Sequence, residues 1–425
     1  MGILTIFQKK SKREIDPFII ATGRDLGCFR LNDKREAVFA VGSLFDLVQM
    51  TKKEYRVWKE LKTSRSIKNW AENCINNNVV DDLKEFEQIK LKFENHRLFE
   101  EWGANSILQM KEHTVSKNGV FLNYSSKEDK WIIASFFPKR SISLNQEQYE
   151  VWRAAVGTST IADVVKIVAN TSHNDEKEAI EKVIRIAPIL VERDLWNIEF
   201  FGKAEKYYAN EKVIADTIHT EFFDSNSLSA NTNIVSVGDE IGYESTNTRE
   251  NDNMLIMVAN KVVTLNSKEH AAWVAFRKGV LTIQDSKEIF SVGLDEIISV
   301  VKVLMDKRVV MKWPESLVVN KQFVLSLSPK GIGIGTKNNK EYKILDVTNG
   351  ESKFLPYEAY MVWAFSHGYV PIAIIIEKFK MNLNYSQEDA SYRVTQWVRL
   401  LLNQGVVNLT IIPDKPLVVG WKNQQ

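Results

Sequence analysis

Four tryptophans set the phase of this chain. Trp58, Trp152, Trp273 and Trp363 lie 94, 121 and 90 residues apart, and the residues around them agree. Three positions earlier stands Tyr55, Tyr149, His270 or Tyr360, and one position earlier Val57, Val151, Ala272 or Val362. Eight positions earlier comes an apolar Met50, Leu144, Leu265 or Leu355, followed by Thr51, Asn145, Asn266 or Pro356, which are residues that open helices. Glu54, Gln148 and Glu269 stand three places after the first three of these openers. That is the spacing of a capping box, in which side chain and backbone satisfy each other's unpaired groups. Each Trp therefore falls on the second turn of a capped helix, on the face of the aromatic three residues before it. This places Trp58, Trp152, Trp273 and Trp363 in a structural core, with no ligand role.

The agreement extends both ways. Nine or ten residues after each Trp comes Ile67, Ile161, Ile283 or Ile372, preceded by Ser66, Thr160, Thr282 or Pro371, a second helix start. A third, amphipathic helix follows. Its Phe93, Leu190, Leu304 and Leu401 precede by five residues the apolar pairs Leu98-Phe99, Leu195-Trp196, Val309-Val310 and Val406-Val407. A helix that stops and turns into a short strand accounts for this, and Gly405 marks the stop in the last copy. Upstream, alternating apolar runs surround glycine-bearing turns: 23–27, the Asn118-Gly119 hairpin signal, 238–242 and the glycine-rich 331–335. A glycine precedes each Trp by 31, 33, 31 and 30 residues (Gly27, Gly119, Gly242, Gly333). The expected class is α+β: four tandem repeats, each a three-stranded antiparallel sheet followed by a three-helix winged-helix unit. They occupy 15–103, 104–199, 234–315 and 316–425, with a basic tail over 1–14 and a helix or linker over 200–233 that divides them into two pairs.

At 425 residues the chain exceeds what one core organises. A net charge of +2 makes no global basic field. Two cysteines, Cys28 and Cys74, exclude a disulfide framework and suit a reducing cytoplasm. No apolar run reaches membrane-spanning length. The apolar start, residues 1–7, followed by Lys9, Lys10, Lys12 and Arg13, runs opposite to a signal peptide and offers weak peripheral membrane contact at most.

Copies two and three carry a family resemblance, through Leu144-Asn145, Gly157 and Thr160-Ile161, and through Leu265-Asn266, Gly279, Thr282-Ile283, Leu304 and Val309-Val310. This resembles the PqqD-like domain, the RiPP recognition element. Copies one and four share the phase but read Met50-Thr51 and Leu355-Pro356. The resemblance implies a bacterial protein that holds a peptide as an added strand on the edge of the three-stranded sheet beside the third helix. Here that edge corresponds to the runs 37–41, 131–137, 254–258 and 342–347, with Trp131, Ile132, Ile133, Met254, Leu255 and Ile256 as the candidate peptide-binding residues.

Chemistry is sparse. The six histidines show no metal-ligand spacing, so no metal and no cofactor is expected. The glycines of 331–335 lack the Gly-Lys-Ser/Thr of a phosphate loop and suit a hairpin turn. No nucleophile motif is present, and a non-catalytic chain is expected. DNA binding is the competing reading of a winged helix. Yet the third helices open on Asp81-Asp82, Asp175-Glu176, Asp295-Glu296 and Glu388-Asp389, which favour the helix dipole and repel phosphates. The expected function is a cytoplasmic protein- or peptide-binding scaffold in a modified-peptide (bacteriocin-type) or secretion pathway. The alternative is a DNA-binding transcriptional regulator.

Overall fold

The computed structural model describes residues 17–43, 46–103, 112–136, 139–155, 159–172, 175–200, 222–243, 253–258, 261–290, 292–313, 325–345, 351–366 and 371–411. The tail over 1–14 and residues 201–221 of the connecting segment lie outside them. The first stretch runs β1 (Phe18–Ala21), β2 (Arg24–Leu31), β3 (Ala37–Ser43), β4 (Asp46–Met50), α1 (Lys52–Leu61), α2 (Ile67–Asn76), α3 (Leu83–Asn95) and β5 (Phe99–Trp102). The second runs β6 (His113–Lys117), β7 (Val120–Ser125), β8 (Lys130–Phe136), β9 (Lys139–Leu144), α4 (Gln146–Ala154), β10 (Ser159–Thr160), α5 (Ile161–Ser172), α6 (Glu176–Glu192) and β11 (Trp196–Phe200). The third runs β12 (Asn233–Ser236), β13 (Asp239–Tyr243), β14 (Met254–Val258), β15 (Lys261–Leu265), α7 (Ser267–Phe276), β16 (Leu281–Thr282), α8 (Ile283–Phe290), α9 (Leu294–Asp306) and β17 (Val310–Lys312). The fourth runs β18 (Leu325–Pro329), β19 (Ile332–Thr336), β20 (Glu341–Leu345), β21 (Ser352–Pro356), α10 (Tyr357–Phe365), α11 (Ile372–Leu383), α12 (Gln387–Asn403) and β22 (Val407–Ile411). Among the described residues this is a mixed α+β chain of twelve helices and mostly small, separate sheets.

Four strands, not three, precede each tryptophan helix. The first of them pairs antiparallel with the strand that closes the stretch: β1 with β5, β6 with β11, β12 with β17 and β18 with β22. The next three form a meander, β7-β8-β9 and β13-β14-β15 standing alone. The meanders β2-β3-β4 and β19-β20-β21 join through a parallel bridge at Gly335 and Cys28 into a six-stranded sheet.

The expected glycine turns are corners instead. Gly23, Gly119, Gly238 and Gly331 have φ of +95°, +88°, +99° and +87°, and at each the chain leaves one sheet for the next. A side chain there would be strained. Residues 331–335 are therefore not a hairpin turn: β19 begins at Ile332. The glycines expected at a common spacing also mix three positions. Gly119 is a corner, Gly333 lies two residues past its corner, and Gly27 and Gly242 lie four residues past theirs, where the strand register shifts.

The residue before each corner glycine ties the stretch together. Thr22, Asn118, Val237 and Lys330 donate their N–H to the carbonyls of Leu98, Leu195, Val309 and Val406 at 2.9, 2.8, 2.8 and 2.7 Å. Their own carbonyls accept the indole N–H of Trp58, Trp152, Trp273 and Trp363 at 3.2, 3.0, 3.1 and 3.0 Å. All four indoles are buried, and a buried N–H without an acceptor costs about 1–3 kcal/mol.

The third helices end alike. Arg97, Asp194, Arg308 and Gly405 take left-handed φ of +52°, +55°, +59° and +70°. The next N–H reaches back to Phe93, Leu190, Leu304 or Leu401 at 2.8–3.1 Å. This six-to-one bond is the Schellman closure, and it turns the chain directly into the closing strand.

Two hydrophobic cores result. One draws on residues between Ile19 and Ile198, the other on residues between Phe222 and Ile411. The second core also takes Leu26, Phe29 and Ala40 from the first meander. There Phe29 lies 6.3 Å from both Tyr357 and Tyr360, and the Tyr360 hydroxyl donates to Leu26 O at 2.5 Å.

Candidate strand-addition edges

A sheet edge can accept another strand only if its backbone groups on that side are unpaired. Trp131, Ile132 and Ile133 lie on β8, and Met254, Leu255 and Ile256 on β14. Both are the middle strands of their meanders, laddered on each side. These six residues therefore offer no edge, and the same holds for β3 and β20. The outer strands are β4, β9, β15 and β21 beside the tryptophan helices, with β7 and β13 on the opposite sides of the two separate meanders. The sequence signal missed was the short last strand, which abuts its helix cap with no turn between them. Ile133, Met254 and Ile256 are instead buried core residues.

Three of the last strands meet a cation from the third helix. Lys92 donates to Gln49 O at 3.1 Å, Arg193 to Ser143 O at 3.3 Å and Lys307 to Thr264 O at 3.1 Å. Lys92 and Lys307 also pair with Glu54 and Glu269, the acidic members of the capping boxes, at 2.8 and 2.6 Å. A cation on an edge carbonyl obstructs an incoming strand. On β21, among the described residues, no cation donates to the backbone and Phe354 stands 56% exposed. The position matching Arg193 and Lys307 at the end of α12 is Gln404.

The acidic residues at the third-helix starts do local work. Asp82 and Asp175 cap α3 and α6, accepting from Glu85 N and Glu178 N. Lys53 and Lys268 on the first helices pair with Glu85 and Glu296 at 2.7 and 2.5 Å.

A buried polar cluster sits where the first, second and fourth stretches meet. Arg24 donates to the carbonyls of Trp363 and Ala364 and lies 4.8 Å over the Trp363 ring. Asp25 accepts from the Tyr55 hydroxyl at 2.7 Å and pairs with Lys59 at 2.8 Å. Burial pushes the Asp25 carboxyl up, but Lys59, Lys62 and Tyr55 outweigh it and hold it below the usual carboxylate range. Lys62 pairs with Asp194 at 2.9 Å. The cavity these groups line is about 20 Å³, room for one water molecule and for no substrate. Lys62–Asp194 bridges the first and second stretches and the Arg24 bonds to carbonyls bridge the first and fourth, so the cluster ties the stretches together.

Among the described residues no group of three potential ligands gathers for a metal. His113 is buried on β6, His96 ends α3 and His270 lies on α7, while His173, His219 and His367 lie outside the described residues. No helix of the described residues is long and apolar enough to cross a membrane.

No family model, no curated protein and no solved structure matches the chain.

Proposed function

We propose that this chain is a non-catalytic protein- or peptide-binding scaffold of four tandem PqqD-like winged-helix units, acting in the cytoplasm of a bacterium in a modified-peptide or secretion pathway. The unit reading is supported by the shared indole-to-carbonyl bond, the glycine corner and the Schellman closure, which recur at matching positions. The binding reading rests on one observation: among the described residues, every meander ends on an outer strand with no strand partner on its far side. Main-chain bonds to such an edge give affinity, and side-chain pockets give specificity. Of the four, β21 is the preferred acceptor. It lacks the third-helix cation that guards the other three, its own Lys353 is paired with Glu351 at 2.7 Å, and it carries the exposed Phe354.

Photo-crosslinking tests this in cells of the native host. A photoreactive residue at position 354 should capture a defined peptide or protein segment. The same probe at 262, on the guarded β15, should capture little. Absence of any polypeptide adduct at 354, together with submicromolar duplex binding and a steep salt dependence, would replace this function with DNA recognition.

A further inference from the structure

We infer that the chain pairs with a second copy of itself through β7, edge to edge and antiparallel, merging two three-stranded sheets into one of six strands. β7 is laddered to β8, with a register shift between Phe121 and Asn123, and among the described residues no strand pairs with its other side. Phe121, Leu122 and Tyr124 on it are 37%, 53% and 46% exposed, a concentration of bare apolar surface within four residues. Tyr124 lies 4.7 Å from Trp131, which stacks on Tyr149 at 5.2 Å, and Phe121 lies 5.4 Å from Tyr149. The rings hold one another, so the surface is preformed and little rotamer freedom is lost when it is covered. No residue of 120–125 is charged, whereas the other outer meander strands carry Asp46, Lys139 and Arg140, Asp239 and Glu240, Lys261 or Lys353. Charges of that kind keep natural sheet edges apart, and β7 lacks them.

A join of outer strands already exists inside the chain. β2 and β19, which follow their corner glycines as β7 follows Gly119, meet each other and make the six-stranded sheet. That parallel join depends on glycine: a Cβ at Gly335 would collide with the Cys28 carbonyl, and one at Gly27 with the Ile334 carbonyl. β7 contains no glycine. An antiparallel ladder needs no such approach, and a two-fold axis generates it from two copies of one strand. The same axis brings the aromatic side chains of the two copies together, where cross-strand aromatic pairs stabilise a sheet.

Sedimentation velocity of the full chain from about 1 to about 100 µM reads the dimer directly, because its population follows protein concentration. The wild type should dimerise. Leu122→Lys and Tyr124→Lys, at exposed positions and each acting twice, should raise the dissociation constant about tenfold or more. Val262→Lys on β15 should leave it unchanged. Melting temperature checks that the variants fold. Should either lysine variant fail to fold, Asn123→Cys in a Cys28→Ser background should form a disulfide-linked dimer on oxidation. A wild type that stays monomeric, or a dimer indifferent to both lysines, overturns the inference. So does a monomer that takes a peptide on β7. None of these results bears on crosslinking at position 354, so the two proposals fail separately.

Discussion

At the scale of the residue, the indoles of Trp58, Trp152, Trp273 and Trp363 each have an acceptor for the N–H and a neighbour for the ring. The acceptor is the carbonyl before the corner glycine; the neighbour is a cation. Lys62 lies 4.9 Å over Trp58, Lys117 5.1 Å over Trp152, Arg277 5.1 Å over Trp273 and Arg24 4.8 Å over Trp363. Lys117 also donates to Glu240 O of the third stretch at 3.1 Å. Burial pushes its ammonium down to about 8, against the opposing pull of Glu240 and Asp239. The ordinary value is 10.5, so between those pH values the unfolded chain binds more protons than the native one. The Lys117 contribution is therefore unfavourable below about pH 8 and is relieved as pH rises toward 10.5. Urea titrations compared at pH 8 and pH 10 should give Lys117→Met a smaller gain, or a larger loss, of stability than the wild type. Equal changes in the two proteins would show that Lys117 keeps its charge.

At the scale of the element, three of the four tryptophan helices begin on complete capping boxes. Thr51, Asn145 and Asn266 each accept from the N–H three residues on, and Glu54, Gln148 and Glu269 reach back at 2.7, 3.3 and 3.0 Å. Both partners lie within one helical turn, which is why these starts could be read from sequence. Pro356 in the fourth stretch makes no side-chain cap. Asn266→Ala should destabilise the protein by about 1 kcal/mol, measured by chemical denaturation. A cost below about 0.3 kcal/mol would mean that packing alone holds α7 in place. The strands were less legible. Segments such as Asp46–Met50 and Lys261–Leu265 run straight into a cap residue, and alternation tells a strand's faces but not its neighbours. By alternation alone the middle strands β8 and β14 read as edges. Trp131 and Met254 owe their surroundings to strands that their own sequence does not specify.

At the scale of the molecule, the halves are joined by the β2–β19 contact and by the apolar face of the first meander. Leu26, Phe29 and Ala40 belong to the core of the second half although they precede it by nearly two hundred residues. The Gly23 N–H bonds to Ile198 O at 2.7 Å and the Gly238 N–H to Leu409 O at 3.0 Å, so corners and closing strands join neighbouring stretches in the same way within each half. With a core shared across the join, the described body should unfold in one calorimetric transition. Gly335→Ala forces β19 away from Cys28 and leaves most of each half's own core intact. It should lower the melting temperature and split the transition in two. A variant that melts like the wild type would show that the join is not what couples the halves.

By itself, the sequence determined the phase of the four stretches, the capped starts of three tryptophan helices, the stop of each third helix and the burial of the four indoles. These follow from interactions spanning a few residues or from an apolar periodicity that any fold must bury. The tertiary structure decided what depends on partners far along the chain: that the glycines make corners between sheets, that each closing strand returns to the first strand of its stretch, and that β2 meets β19. It also decided which strands are left open. Strand pairing joins residues tens to hundreds of positions apart, and one alternating segment is compatible with a middle strand or an edge. Only the completed ladders show that, among the described residues, β4, β7, β9, β13, β15 and β21 have a strand partner on one side alone.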